Sequence, residues 1–588
     1  MSPVEETDPQ EMKNQYTAER NVQIVISLMK QYGIRKVIAS PGTTNYTLVA
    51  SLQQDPFFQM YSSAEERSAA YMACGLAVES GEPVAITCTG ATASRNYMPG
   101  LTEAYYRKIP VLAITSLQNT SKISNNIPQV IDRSSIPNDV ANFSVLLRSI
   151  NTKEDELSCQ LLANRAISSL FRRGGGPVHI NLETTYSPDF SVEELPQARK
   201  IQRVCSGDEF PELPSGRIAV VVGAHKKWSP RLLKAVDAFC DSHDAVVFSE
   251  HTGNYCGKYR FFYTLYQSQS FLDKVPVDLT VHIGDVSGEY AMFGIKAPKT
   301  WRVNPDGEMR DTFGNLDKVF EMEEAEFFER YAGAPSERAG STLKLYTEMS
   351  RRLYAAVPEL PFSNLWMASV MAGKIPEGSV LHLAILNSLR SWNFFDTHPS
   401  VRCYSNTGGF GIDGCMSSLV GASLADANRL YFCVIGDLAF FYDMNALGNR
   451  SLGKNVRILL VNNGKGAEFR LFSHPANRFG DNADKFIAAG GHYAGKSPTL
   501  VKNYAQDLGF EYLCASNKEE FLQNCDRFLT PEITDRPMLF EAFVDAEAES
   551  EALKAITSIT LSAKKEFYKT IRGAIPQEGI NLIKKILK

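Results

Sequence analysis

At 588 residues the chain is several times the length of one domain, which predicts about three or four domains. Apolar residues make up 44%, charged residues 22%, and glycine and proline number 40 and 28, a composition that excludes collagen-like and disordered chains. With 61 Lys+Arg against 66 Asp+Glu the net charge is -5, so the global basic field used by nucleic-acid binders is missing and no nucleic-acid partner is expected.

The eleven cysteines hold no CxxC pair and no zinc-type spacing with histidines, and they read as reduced thiols of a cytoplasmic protein. Residues 2–11 are polar and acidic, unlike a signal peptide, and no apolar run reaches about 18 residues, so no membrane span is expected.

In chain order, helical spacing over 21–29 leads through Gly33 into a β-rich run at 36–39 that stops at Ser40, Pro41 and Gly42. The alternation repeats as a helix at 66–78, a strand at 84–88, a helix at 96–105 and a strand at 111–115. One more strand lies within 174–181. Strands separated by helical stretches of ten or more residues predict a parallel sheet covered by helices. A polar, proline-bearing passage at 186–214 reads as a linker. Beyond it a second unit has strands at 218–222, 245–248 and 279–283, and a break near 332–340 precedes a third with strands at 379–383, 430–435 and 456–461. The expected architecture is α/β throughout, in three tandem parallel-sheet domains over 18–190, 200–340 and 345–550, with a basic helical tail over 551–588.

Residues 564–588 carry seven basic and two acidic side chains, and near-helical apolar spacing at 581–588 predicts a small amphipathic helix. Docking on its own or a neighbouring subunit is favoured over contact with a membrane surface, because monotopic anchors are rare.

The chemistry concentrates at 434–466. A strand ends in Gly436 and Asp437, a helix follows, and the next strand ends in Asn462 and Asn463, 26 residues after the aspartate. Both polar groups are thereby expected at the carboxyl ends of neighbouring parallel strands, where open α/β sheets bind ligands. One hard carboxylate (Asp437), an amide oxygen (Asn463) and the backbone carbonyl of Lys465 suit Mg²⁺, which completes its octahedron with phosphate oxygens and water. The helix N-terminus adds amide donors for the same phosphates. A lone Gly-Asp before a helix is an ordinary cap. Paired with Asn-Asn after the next strand, it resembles the diphosphate and magnesium motif of thiamine diphosphate (ThDP) enzymes, with Leu438 where those have glycine.

The N-terminal region supplies the other half. Glu66 opens a helix after a short strand, and small residues at 87–93 form a turn after the next one. In the ThDP family a helix-borne glutamate contacts the aminopyrimidine ring, and Glu66 fits that position. A carboxylate against the ring nitrogen favours the tautomer that activates the cofactor, so the resemblance implies a catalytic role for Glu66. Taken alone, an acid here is a helix N-terminal residue favoured by the macrodipole.

SPG at 40–42, ERSA at 66–69, GPVHIN at 176–181, YSN at 404–406, GIDG at 411–414, GDL at 436–438 with YD at 442–443, and NN at 462–463 occur together in order. Across about residues 20–550 this pattern resembles the 2-succinyl-5-enolpyruvyl-6-hydroxy-3-cyclohexene-1-carboxylate synthase (MenD) family of menaquinone synthesis. The resemblance places Ser405, Asn406, Ile412, Gly436, Asp437, Leu438 and Asn463 against the cofactor, with Ile412 as the aliphatic wedge that bends it. It also implies a homodimer or homotetramer, because ThDP in this superfamily lies between domains of different chains.

MenD enzymes decarboxylate 2-oxoglutarate and add the four-carbon unit to isochorismate, holding both dicarboxylates with arginines and lysine. Here the pattern departs. Thr44, beside Thr43, stands at one family arginine and Gln118 at another. Gln129 matches a substrate-side glutamine but follows Pro128 in place of asparagine, and the central Lys-Arg pair falls at Glu289 and Tyr290. Ser388 is kept, Trp392 replaces the arginine after it, and Thr407 replaces the arginine of the Ser-Asn-Arg-Gly motif. Each lost bond to a charged group is worth roughly 1.5–3 kcal/mol, so the original dianions are not expected to bind.

Arg95, Arg390, Lys465 and Arg470 lie near these motifs as substitute cations, with a solvated surface role as their default. His474 follows the metal motif, and no His-His pair of the pyruvate-decarboxylase type occurs. The expectation is a ThDP- and Mg²⁺-dependent decarboxylase-carboligase acting on a small, pyruvate-like 2-oxo acid and an unidentified acceptor. The competing readings are a non-ligating 2-oxo acid decarboxylase and a ThDP-fold subunit retired from catalysis. The central domain shows no convincing dinucleotide fingerprint.

Overall fold

The computed structural model of the chain describes residues 15–270, 272–493 and 496–559. The basic tail at 564–588 lies outside the described residues. The chain divides into two compact units, residues up to 204 with 308–319, and 205–307 with residues from 320 onward.

The first unit carries a six-stranded sheet in the order Gln59–Ser62, Lys36–Ala39, Val84–Thr89, Val111–Leu117, Val178–Glu183, Phe143–Leu147, every neighbouring pair parallel. Every residue of Val111–Leu117 is buried, as a parallel strand covered on both faces requires. Helix Arg20–Gln31 packs its aliphatic residues into the core on one side of the sheet. Helices Glu66–Ser80 and Met98–Arg107 cover the other, where Ala70 and Gly100 approach so closely that a Cβ at 100 would lie 2.5 Å from that of Ala70. The helix expected over 96–105 is two, Ala91–Asn96 and Met98–Arg107. Pro99 sits in the first turn of the second, where its missing N–H costs no bond.

In the second unit, strands Arg260–Phe262, Val246–Ser249, Ile218–Val222, Leu279–Ile283 and Lys299–Val303 lie side by side and parallel. Farther along the chain a six-stranded parallel sheet follows in the order Arg402–Tyr404, Val380–Leu383, Tyr431–Gly436, Val456–Asn462, Met538–Phe543, Glu511–Ala515. The fold is three parallel-sheet α/β domains. Counted within each domain, the first and last sheets share one strand order, 2-1-3-4-6-5. In both, the first strand has its successor on one side and the third strand on the other. Connections therefore diverge there and open a crevice at the carboxyl ends, the usual place for a ligand in an open α/β sheet.

Candidate functional site

Asp437 stands at that crevice in the last sheet. Gly436 pairs with Val461 in the ladder, so the two strands end level, and the next residues out are Asp437 on one and Asn462 and Asn463 on the other. The main-chain N–H of Asn463 lies 3.5 Å from Asp437 Oδ1. Asn463 Oδ1 accepts from the N–H of Lys465 at 3.3 Å, and Gly464 between them takes φ 74°, which lets the chain turn back over the aspartate.

Burial pushes the Asp437 carboxyl up to about 7, against the pull of main-chain N–H groups at 463, 437, 438 and 464. The side chain is 5% exposed and pairs with no cationic residue among those described. A hard carboxylate buried without a counter-charge, beside an amide oxygen and a main-chain carbonyl, has the chemistry of a magnesium site. The donor set fits the ion.

An open cleft with room for about 140 Å³ of small-molecule volume lies beside Asp437. Ser388, Ile412, Gly436, Leu438, Asn463 and Lys465 line it together with Asp437, so seven sequence-derived positions converge on one wall. Two further features escaped the sequence reading. Leu386, in the turn between Val380–Leu383 and helix Asn387–Trp392, holds φ 75° with ψ -123°, a positive-φ backbone that is rare for leucine and stores strain beside the cleft. Glu468 also lines the cleft. It pairs with Arg390, whose guanidinium lies 3.7 Å from the centroid of the Tyr290 ring.

Other positions lie off this wall. Ser405 Oγ is buried without a hydrogen-bond partner, Asn406 Oδ1 accepts from Ser418 Oγ at 3.0 Å, and Thr407 is buried. Trp392 is wholly buried and donates its indole N–H to Asn364 Oδ1 at 3.0 Å. Of the candidate cations, Lys465 and Arg470 both pair with Asp484. His474 caps the following 3₁₀ segment through its imidazole, which accepts from the N–H of Ala476.

In the first unit, the helix-capping duty falls on Glu65 and not on Glu66. Glu65 accepts from the N–H groups of Arg67 at 3.0 Å and Ser68 at 2.7 Å, and Gly81 closes the helix in the left-handed conformation. Glu66 is thereby left free of the cap. Its Oε2 lies 3.4 Å from Asn96 Nδ2, and the carboxylate is part-exposed.

Thr44 is 2% exposed and its hydroxyl meets Thr89 Oγ1, the Ser116 carbonyl at 2.9 Å and the Gly90 N–H at 3.2 Å, which ties three strand ends together. Thr43 is exposed, Gln118 accepts from Lys122 Nζ at 2.8 Å, and Gln129 is exposed with φ 66°.

The family described as thiamine pyrophosphate enzyme, N-terminal TPP binding domain, matches residues 20–136. A 2-succinyl-5-enolpyruvyl-6-hydroxy-3-cyclohexene-1-carboxylate synthase of Bacteroides fragilis is 31% identical over 566 residues, spanning 92% of this chain and 98% of the relative. The synthase of the same name from Bacteroides thetaiotaomicron is 30% identical with the same coverage. Among solved structures, the thiamine diphosphate-dependent 4-hydroxybenzoylformate decarboxylase of Rhodococcus jostii RHA1 matches at 17% identity and a TM-score of 0.38, over 89% of this chain and 99% of that one. With the relatives spanning nearly their full length, the chain belongs to the 2-succinyl-5-enolpyruvyl-6-hydroxy-3-cyclohexene-1-carboxylate synthase family of thiamine diphosphate-dependent enzymes.

Proposed function

We propose that the protein is a ThDP- and Mg²⁺-dependent carboligase that decarboxylates a small, pyruvate-like 2-oxo acid and transfers the acyl unit to a carbonyl acceptor. The observation that carries the choice of donor is the neutrality of the substituted positions. Thr44 is consumed in hydroxyl bonds between strand ends, Trp392 is sealed in the core, and Arg390 is cancelled by Glu468. A second carboxylate on the donor has no cation waiting at any of these places, and burying it unpaired is costly.

Bound ThDP supplies the electron sink that loss of CO₂ from a 2-oxo acid needs. Around it, Asp437, Asn463 and the carbonyl of Lys465 would hold the magnesium ion and so orient the diphosphate. Ile412 and Leu438 present apolar surface on the same cleft and would shield a bound cofactor from water there. Ser405 and Asn406 would supply a hydroxyl and an amide, and Glu66, contributed by a second copy of the chain, would hold or move a proton at its carboxylate oxygens.

The protein is proposed to act in the cytoplasm as a homodimer or homotetramer. The helix that starts at Glu66 leaves Tyr71, Met72 and Val78 about half exposed, an apolar face suited to a second copy, and all eleven cysteines are free thiols. No described helix is long and apolar enough to cross a membrane.

A second reading is the reaction named for the relatives, favoured by the 31% identity to the Bacteroides fragilis synthase across 98% of its length. The test is CO₂ release by the full-length protein with ThDP and Mg²⁺, offered pyruvate, 2-oxobutyrate or 2-oxoglutarate, with and without isochorismate. Release from a monocarboxylic 2-oxo acid, lost in Glu66→Gln, is expected. Release from 2-oxoglutarate alone, with product formed from isochorismate, would establish the second reading instead.

A further inference from the structure

Strand Met538–Phe543 is otherwise apolar, yet it carries a carboxyl group, Glu541, of which only 1% is exposed. A carboxyl in such a place is costly unless its oxygens are bonded. Both are: Oε1 accepts from Asn462 Nδ2 at 2.6 Å, and Oε2 accepts from the Tyr512 hydroxyl at 2.7 Å. The register of the sheet makes this trio. Glu541 pairs with Leu460 on one neighbouring strand and with Cys514 on the other, so Asn462 and Tyr512, two residues away in each, share its face. Burial raises the Glu541 carboxyl above its ordinary value, against the pull of these two bonds.

Asn462 is the last residue of strand Val456–Asn462 and is itself buried, and its side-chain amide is held from both ends. Its Oδ1 accepts the main-chain N–H of Gly464 at 3.3 Å. A main-chain N–H can only donate, so the oxygen must face Gly464 and the NH₂ must face Glu541. Turned the other way, the amide would set N–H against N–H at Gly464. Gly464 in turn lies between Asn463 and Lys465, whose amide and main-chain oxygens are the magnesium ligands proposed beside Asp437, and its φ of 74° makes the turn that presents them.

We infer that Glu541 is a positioning residue for the magnesium site: by taking the NH₂ of Asn462 it locks that amide with its oxygen on the Gly464 N–H, and so fixes the turn that carries Asn463 and Lys465. Glu541 does not line the cleft, so it acts only through Asn462. The inference rests on the magnesium site proposed above.

The test is titration calorimetry of ThDP into the full-length protein over a range of Mg²⁺ concentrations, for the unmodified protein, Glu541→Leu, Glu541→Gln and Tyr512→Phe. Glu541→Leu leaves the Asn462 NH₂ without its acceptor. It is expected to raise the Mg²⁺ needed for half-maximal binding by about tenfold, with binding recovered at saturating Mg²⁺. Glu541→Gln offers an amide oxygen to Asn462 and an NH₂ to the Tyr512 hydroxyl, which accepts as well as it donates, so it is expected to behave as the unmodified protein does. Tyr512→Phe spares the Asn462 bond and is expected to do the same.

An unchanged Mg²⁺ requirement in Glu541→Leu would overturn the inference. So would a Glu541→Gln that binds as weakly as Glu541→Leu, because charge and not the orientation of an amide would then be at work. Glu541→Gln keeps the test decisive where Glu541→Leu does not fold, since weakened binding by it is enough to reject the role. ThDP binding with no Mg²⁺ dependence in the unmodified protein would sink the magnesium reading and this inference together. A dependence lost in Asp437→Ala but untouched in Glu541→Leu would sink this inference alone.

Discussion

Glu549 lies in helix Ala546–Thr557 between Glu547 and Glu551, yet only 2% of it is exposed. Its Oε1 accepts the main-chain N–H of Asn364 at 3.0 Å, and the Asn387 side chain bonds to it as well. Asn364 and Asn387 both line the Asp437 cleft, so this carboxyl braces the wall from behind. Burial raises it from 4.5 to about 7, with those two bonds pulling the other way. Between these values the folded protein keeps a proton that the unfolded chain has released, so stability falls as pH rises through the window. Above pH 7 the penalty is constant, at about 3 kcal/mol for a rise from 4.5 to about 7.

Glu549→Gln removes the charge while keeping the length of the side chain and an oxygen for the Asn364 N–H. It should match the parent near pH 4.5 and exceed it by about 3 kcal/mol by pH 8. Guanidinium unfolding followed by tryptophan fluorescence across that range measures the gap, with Trp392 and Trp366 in the same unit as reporters. A gap that does not change with pH, or a variant less stable than the parent at pH 8, would refute the reasoning.

Three further outcomes follow from the same geometry. Asp437→Ala should weaken Mg²⁺-dependent ThDP binding by roughly 100-fold, the loss of one charged ligand worth about 3 kcal/mol; titration calorimetry with an unchanged Kd would remove Asp437 from the site. Glu19, itself buried, accepts from the buried Thr184 Oγ1 at 2.8 Å and from the part-buried N–H groups of Thr185 at 2.8 Å and Ser187 at 3.1 Å, so Glu19→Ala strands one buried donor and should cost about 2 kcal/mol of stability. A denaturation midpoint that stays put would show that water takes over these bonds. Thr44→Arg should lower stability without granting turnover of 2-oxoglutarate, because the site is closed; gained turnover would show that position 44 does reach substrate.

Much of this protein could be read from short stretches of chain. The strand at Ile218–Val222 falls where its apolar run places it, because a strand buried on both faces favours a continuous run of branched aliphatics, and Leu279–Ile283 is found from its alternating Leu279, Val281 and Ile283 although Thr280 and His282 are buried as well. Asp437 and Asn463 were legible for a similar reason: each follows directly on such a run, and parallel pairing of two successive strands brings the ends level. Strand Phe143–Leu147 and helix Lys153–Ser169 were not singled out, since the strand is only half-buried and the helix begins among charged residues.

What the sequence by itself determined is the order of strands and helices and the polar residues that stand where strands end, because those follow from the spacing of apolar residues along a few turns. Only the tertiary structure decided which side chains lose water. Glu549 sits among exposed acids, Trp392 stands at a position expected to face substrate, and Arg133 lies in a polar loop, yet all three are buried. Their surroundings come from segments far apart in the chain, such as Asn364 for Glu549 and Thr115 for Arg133. Burial sets the price of an unpaired charge, and the folded packing of distant segments sets burial.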